Sequence, residues 1–141
     1  LKPTQESAIL AKNGNYYTPL AGVASTFEGK SGAGEYMDTA RFADWLHARI
    51  QERCVYVLQS NPKVPYTNAG VDLMRGAILG VLTLGVRVGG LDKDPAPAVT
   101  APQVQDVDVL KRARRRLPDV SFTGRLAGAI HGLDIAGVVS I

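Results

Sequence analysis

Phe42, Leu46, Ile50, Cys54 and Leu58 recur every fourth residue between Asp38 and Gln59, with Trp45 and Val57 beside them. That spacing lays one apolar stripe along an α-helix. Arg41, Asp44, Arg49, Glu52 and Arg53 fall on the opposite face. A helix with one greasy face has to bury it, so the chain must build at least two packed layers. Asp38 stands where an N-cap belongs, and Asn61-Pro62 ends the helix. The partner is legible downstream. Val71, Met74, Ile78, Val81 and Leu82 form a second stripe over Thr67 to about Leu84, with Thr67 as the cap and Gly85 as the expected stop. Lys63-Val64-Pro65-Tyr66 is a short extended connector. Gly76 and Gly80, four apart, would let another backbone come close.

The remaining elements are shorter. Thr4–Lys12 reads as a helix stopped by Asn13-Gly14, and Asn15–Ser25 as a strand that Pro19 demotes to an edge or bulge. Glu28–Gly34 is a glycine-rich loop. Val86-Arg87-Val88 reads as a short strand broken by Gly89-Gly90, and Asp92–Pro102 as an exposed Pro/Ala loop. A short basic helix is expected over Val107–Arg116, ended by Leu117-Pro118. From Val120 to Ile141 the chain alternates imperfectly and reads as a hairpin turning at His131-Gly132. The expected fold is α+β: a mostly antiparallel sheet packed by two main helices, with a C-terminal β-hairpin or strand arm. The expected division is a core domain over residues 1–119, carrying the exposed loop 92–102, and an arm over 120–141 that completes a sheet.

Several kinds of chemistry are disfavoured. With 45% hydrophobic and 21% charged residues, the 141-residue chain is of ordinary globular composition. The uncharged run Gly76–Val86 is too short to span a bilayer, so no membrane association is expected. One cysteine, Cys54, excludes an internal disulfide and any CxxC metal site, and its place on the apolar stripe marks it as a small hydrophobe. His47 and His131 have no second ligand at metal spacing. Ala24–Ser31 fits a relaxed phosphate-loop pattern, but Gly32, Ala33 and Gly34 would interrupt the helix such a loop requires, and Glu28 would face the phosphates. No catalytic constellation, cofactor site or metal site is expected. The absence of an initiator Met and of a signal segment reads as part of a longer polypeptide.

One electrostatic feature remains. Lys111, Arg112, Arg114, Arg115 and Arg116 put five positive charges into six residues, although the net charge is only +3. Such a run needs solvent or a partner to screen it. A small basic nucleic-acid-binding module using Lys111–Arg116 is one reading. Against it, aromatic residues make up 6% of the chain and none interleaves with the run to stack bases. A plain solvated face reads equally well, and for an assembly component an acidic surface on a neighbouring protein fits best.

Certain stretches, taken together, resemble a known family. They are Asn15-Tyr16-Tyr17, Gly34-Glu35-Tyr36-Met37-Asp38, Asp44-Trp45-Leu46 with Arg49-Ile50-Gln51, Lys63–Gly70 (KVPYTNAG), Arg116-Leu117-Pro118-Asp119-Val120 and Leu126–His131 (LAGAIH). From about Asn13 to Ile141 the chain is similar to the C-terminal part of contractile phage tail sheath proteins. The resemblance implies a structural virion subunit and no enzyme. Such subunits form stacked homo-oligomeric rings around a tail tube protein, between baseplate and tail terminator proteins. They are made in the host bacterial cytoplasm and contract to drive the tube through the host envelope for genome ejection. It implies no membrane partner, and disfavours nucleic acid. Leu133, Ile135, Val138, Val139 and Ile141 are then expected to form an inter-subunit strand, and the five basic residues to face the tube.

Overall fold

The two stripes meet. In this computed structural model, which describes residues 1–139, the two long helices pack side by side. They are α2 (Met37–Ser60) and α3 (Asn68–Arg87), following the short helix α1 (Pro3–Leu10). Leu46 of α2 and Ile78, Val81 and Leu82 of α3 form the buried centre with Leu91 from the following turn. Phe42, Trp45, Ile50 and Cys54 pack around it, as the four-residue repeat requires. The fold is α+β, with small antiparallel sheets beside a helical core.

The helix boundaries depart from expectation for identifiable reasons. α2 begins one residue early because the Met37 N–H finds the Gly29 carbonyl, at 2.9 Å. Asp38 therefore lies inside the first turn and is not the cap. At α3, Thr67 caps as expected, accepting from the Gly70 N–H at 3.3 Å. Gly85 does not stop the helix: it is buried inside α3, with Phe42 and Leu91 closing over it. The expected strand Val86–Val88 is instead the last turn of α3 and its cap, and Gly89, at φ +79°, ends the helix in the left-handed region that glycine tolerates. Extended to 20 residues with a window of mean hydropathy 1.5, α3 is long and apolar enough by composition to cross a bilayer. That outcome differs from the short-run argument, although the stripe of α3 is already packed on α2 as in a core helix.

The strands differ more. Asn15–Ser25 is not one strand but part of a hairpin, β1 (Tyr16–Leu20) and β2 (Val23–Phe27), in register Tyr16↔Phe27 to Leu20↔Val23. Ala21 and Gly22 both have positive φ, the geometry of a two-residue hairpin turn. Within the expected Pro/Ala loop, β3 (Ala98–Thr100) pairs antiparallel with β4 (Ser121–Thr123). The expected C-terminal hairpin is therefore not formed among the described residues. Its first half is taken by β3, and residues 124–139 join no sheet beyond a single bridge between Leu126 and Leu91. Instead of one larger sheet there are two small ones among the described residues. The basic helix is also shorter than expected: α4 spans Val109–Ala113, capped by the Asp108 carboxylate on the Leu110 and Lys111 amides. Arg115, at φ +55°, breaks it.

Candidate assembly site

Tyr66 and Asn68, in the connector and first turn of α3, fasten distant chain to the helix pair. The Tyr66 hydroxyl donates to the Arg116 carbonyl at 2.8 Å, and Asn68 Oδ1 accepts from the Val104 N–H at 2.8 Å. The KVPYTNAG stretch thus carries a helix cap and two long-range fasteners. Its observed contacts are architectural.

The LAGAIH stretch is a strap over the N-terminal end of α2. Asp92 N–H donates to the Arg125 carbonyl at 2.8 Å, and Ala127 N–H to the Gly90 carbonyl at 3.1 Å. The Ala129 N–H then donates to Asp38 Oδ2 at 3.1 Å. His131 sets its ring edge against Tyr36, centroids 4.7 Å apart. The Arg125 guanidinium reinforces the start of the strap on Asp92 Oδ2, at 2.6 Å. Sequence reasoning placed Asp38 at the helix cap and missed this use, because the partner amide lies 91 residues away.

The hydrogen bond from Ala129 is the main reason the Asp38 carboxyl sits below its ordinary pKa, assisted by the Thr39 amide. A carboxyl depressed in the folded state stabilises above its unfolded pKa, and that contribution is lost as pH falls through the folded value. The Ala129 amide proton shift is therefore expected to titrate with a midpoint below the usual carboxylate range, and to be flat in Asp38→Asn. A midpoint at the ordinary aspartate value, read by NMR, would mean that the carboxylate does not hold the strap.

From Ile130 on, His131 apart, the chain is open. Ile130, Leu133, Ile135, Val138 and Val139 are 78–98% exposed. Five apolar side chains in ten residues have no shelter within the chain, which is an abnormal surface for an isolated domain. Leu133, Ile135, Val138 and Val139 of the expected inter-subunit strand all lie here; Ile141 lies outside the described residues. The basic run is divided. Lys111 and Arg112 ride on α4, whereas Arg114, Arg115 and Arg116 occupy the turn after it. Among the described residues none of the five forms an ion pair, and all but the half-buried Arg112 are exposed.

Beside that turn lies a mostly apolar groove of about 340 Å³ between the C-terminal end of α2, the connector and α3. Cys54, Leu58, Pro65, Met74, Leu117 and Arg115 are among its walls. Burial pushes the Cys54 thiol pKa up, which suits a wall residue and not a nucleophile. Elsewhere, the relaxed phosphate-loop reading is excluded by geometry. Ala24–Phe27 belong to β2, the helix starts only at Met37, and Lys30 is paired with Glu28. His47 is solvent-exposed on α2, and among the described residues no His, Cys, Asp and Glu gather as a metal site.

Residues 37–94 match a family model, E217 tail sheath protein gp31-like, C-terminal domain. Through its helix pair, the chain resembles a phage tail sheath C-terminal region. The matched segment begins at the first residue of α2, spans α3 and ends just beyond Leu91, so it contains the helix pair, the KVPYTNAG fasteners and the Asp38 and Asp92 ends of the strap. The match supports a structural role in a phage tail. The basic run, the rest of the strap and the exposed arm lie beyond the matched tail-sheath segment. No curated protein matches the chain.

Proposed function

We propose that the chain is the C-terminal part of a contractile tail sheath subunit, a structural and non-enzymatic component that polymerises around a tail tube. The similarity of the helix pair to a sheath C-terminal domain supports the family part of this reading. The observation that carries the assembly part is the arm. Leu133, Ile135, Val138 and Val139 stand 78–98% exposed after a firmly fastened strap. Backbone pairing of an extended arm with a neighbouring subunit supplies affinity, while alternate side chains set the register. Both outer edges of the β3–β4 sheet are unpaired among the described residues, leaving room for such an addition.

In this reading the five basic residues face an acidic tube surface. Exposed ion pairs are worth only about 0–1 kcal/mol each, which suits a contact that must release when the sheath contracts and drives the tube through the host envelope. Stacked subunits, tube, baseplate and terminator are the partners, and the phage virion is the place of action.

Deleting residues 133–141 tests the proposal. Negative-stain electron microscopy of the parent at high concentration is expected to show hollow, striated tubes or rings, and the deletion to show none. Long, normal tubes from the truncated chain would overturn the arm's role.

A further inference from the structure

α3 is apolar enough by composition to cross a bilayer, yet only 39% of its apolar window lies buried in the fold. Ile78, Val81 and Leu82 take the side packed on α2. At about 100° per residue, Gly76, Gly80 and Thr83 fall on the opposite side, with Leu73 and Leu79 at its two margins. All five are exposed, and the two leucines stand 43% and 41% open. A β-carbon added at Gly76 or Gly80 would meet nothing within 4 Å. The Thr83 hydroxyl already donates to the Leu79 carbonyl at 2.9 Å, so it asks for no further partner. No charged residue interrupts this face between Arg75 and Arg87. Uncharged helix surface of that length marks a contact.

The charges at its two ends say what covers it. Asp72 lies seven residues before Leu79, and Arg87 lies seven residues after Gly80. We infer that α3 packs antiparallel on α3 of a second copy of this chain, about a two-fold axis passing between Leu79 and Gly80. Each Asp72 then comes level with Arg87 of the other copy, and each Gly76 with the other Thr83. A parallel mate in the same register sets Asp72 against Asp72 and Arg87 against Arg87, so charge selects the antiparallel one. Arg87 is exposed and forms no ion pair among the described residues. Asp72 holds only Arg75 of its own helix, at 3.0 Å, in an exposed pair of a kind worth little. The two glycines let the backbones approach closely, with Thr83 filling the space above Gly76. The contact is isologous: it is satisfied in both copies at once and stops at a pair. It goes beyond the sheath reading and does not rest on it, since it joins free chains two by two whereas the arm adds them in rows. A single helix pair covers less area than a permanent dimer needs, so pairing belongs to high concentration and the dilute chain folds without it.

Cys54 is the only cysteine, so a Cys54→Ala chain gives a clean background for disulfide trapping. In that background Gly76→Cys and Thr83→Cys chains, both altered at exposed positions, are mixed in equal amounts at high concentration. The mixture and each variant alone are oxidised with copper–phenanthroline and run on a non-reducing gel. Position 76 of one copy meets position 83 of the other, whereas like positions lie about 10 Å apart along the helices. That exceeds the roughly 7 Å a disulfide spans between α-carbons. The mixture is therefore expected to give a covalent dimer and each variant alone to stay monomeric. A dimer in all three samples, or in none, overturns the inference. Gly80→Leu added to both chains meets no obstacle within its own fold and is expected to cut the dimer yield at least about tenfold. An unchanged yield overturns the inference as well. So does co-sedimentation with phosphatidylcholine vesicles by a mixture that stays monomeric, which gives the face to a lipid surface instead. Deleting residues 133–141 from both chains is expected to leave the cross-link intact. If the cross-link vanishes with the arm, it is a product of arm-driven assembly, so this inference falls and the arm's role stands.

Discussion

Leu82→Ala is expected to lower the unfolding free energy by about 3 kcal/mol. Leu82 is the one large side chain with no exposure at all among the described residues, and it shares the core with Leu46 of α2 and Leu91 of the turn that closes it. Truncation removes its transfer energy and leaves a hollow walled by two long helices that cannot easily collapse into it. In a small domain whose net stability is only about 5–15 kcal/mol, that loss is severe. Urea unfolding should show a reduced midpoint at an unchanged slope. Leu79→Ala, three residues away on the outer face at 41% exposure, is the control and should move stability by only about 0.5 kcal/mol. Equal losses at both positions would mean that α3 does not present the face described here.

Gly70→Ala is the second large effect, about 2–3 kcal/mol of destabilisation. Gly70 is buried in the first turn of α3, and a β-carbon there would land on the Pro65 carbonyl oxygen, with Val64 Cγ1 close behind at 3.5 Å. The obstacle is backbone, so the connector itself must shift, and with it the Thr67 cap and the Tyr66 fastener to Arg116. Gly76→Ala, on the same helix, meets nothing within 4 Å and should stabilise by about 0.5–1 kcal/mol because helix propensity alone acts. Thermal melts of the two variants are expected to move in opposite directions. Movement of both in the same direction would contradict the close approach at Gly70.

These two positions show which parts of the fold were legible. A four-residue repeat reports a helix face directly, so α2, α3 and most of the core could be read from Phe42, Leu46, Ile50, Val81 and Leu82. Short strands carry too few residues for a period. Their pairing also depends on partners far along the chain, as with Val99 opposite Phe122. The hairpin turn at Ala21-Gly22 was missed because alanine rarely adopts positive φ. Gly85 misled for the opposite reason: Phe42 and Leu91 close over it so tightly that an added β-carbon would come within 3.1–3.2 Å of them, and it does not end a helix. Of the candidate site, the exposed arm and the basic run were visible as composition. The groove was not, because its walls come from α2, the connector, α3 and the turn after α4. The strap's dependence on Asp38 was equally invisible, since a carboxylate in a first helical turn satisfies local rules without it.

No residue before Leu46 is buried, so everything from the first helix to the glycine-rich loop stands outside the hydrophobic centre. The β1–β2 hairpin is tied to the loop that follows through the Asn15 side chain. Its oxygen takes the Gly29 and Lys30 amides at 2.7 and 2.9 Å, and its nitrogen gives to the Lys30 carbonyl at 2.6 Å. Segments held mainly by a backbone ladder and a few polar bonds, with half-buried but no fully buried side chains, open at lower free energy than a packed core. The domain is therefore graded in stiffness: a rigid helical keel, and ahead of it a hairpin that can swing or melt while the keel stays folded. In the sheath lattice proposed above, where subunits would turn against one another, such a soft forward element would absorb displacement that a uniformly packed subunit passes on to its neighbours as strain.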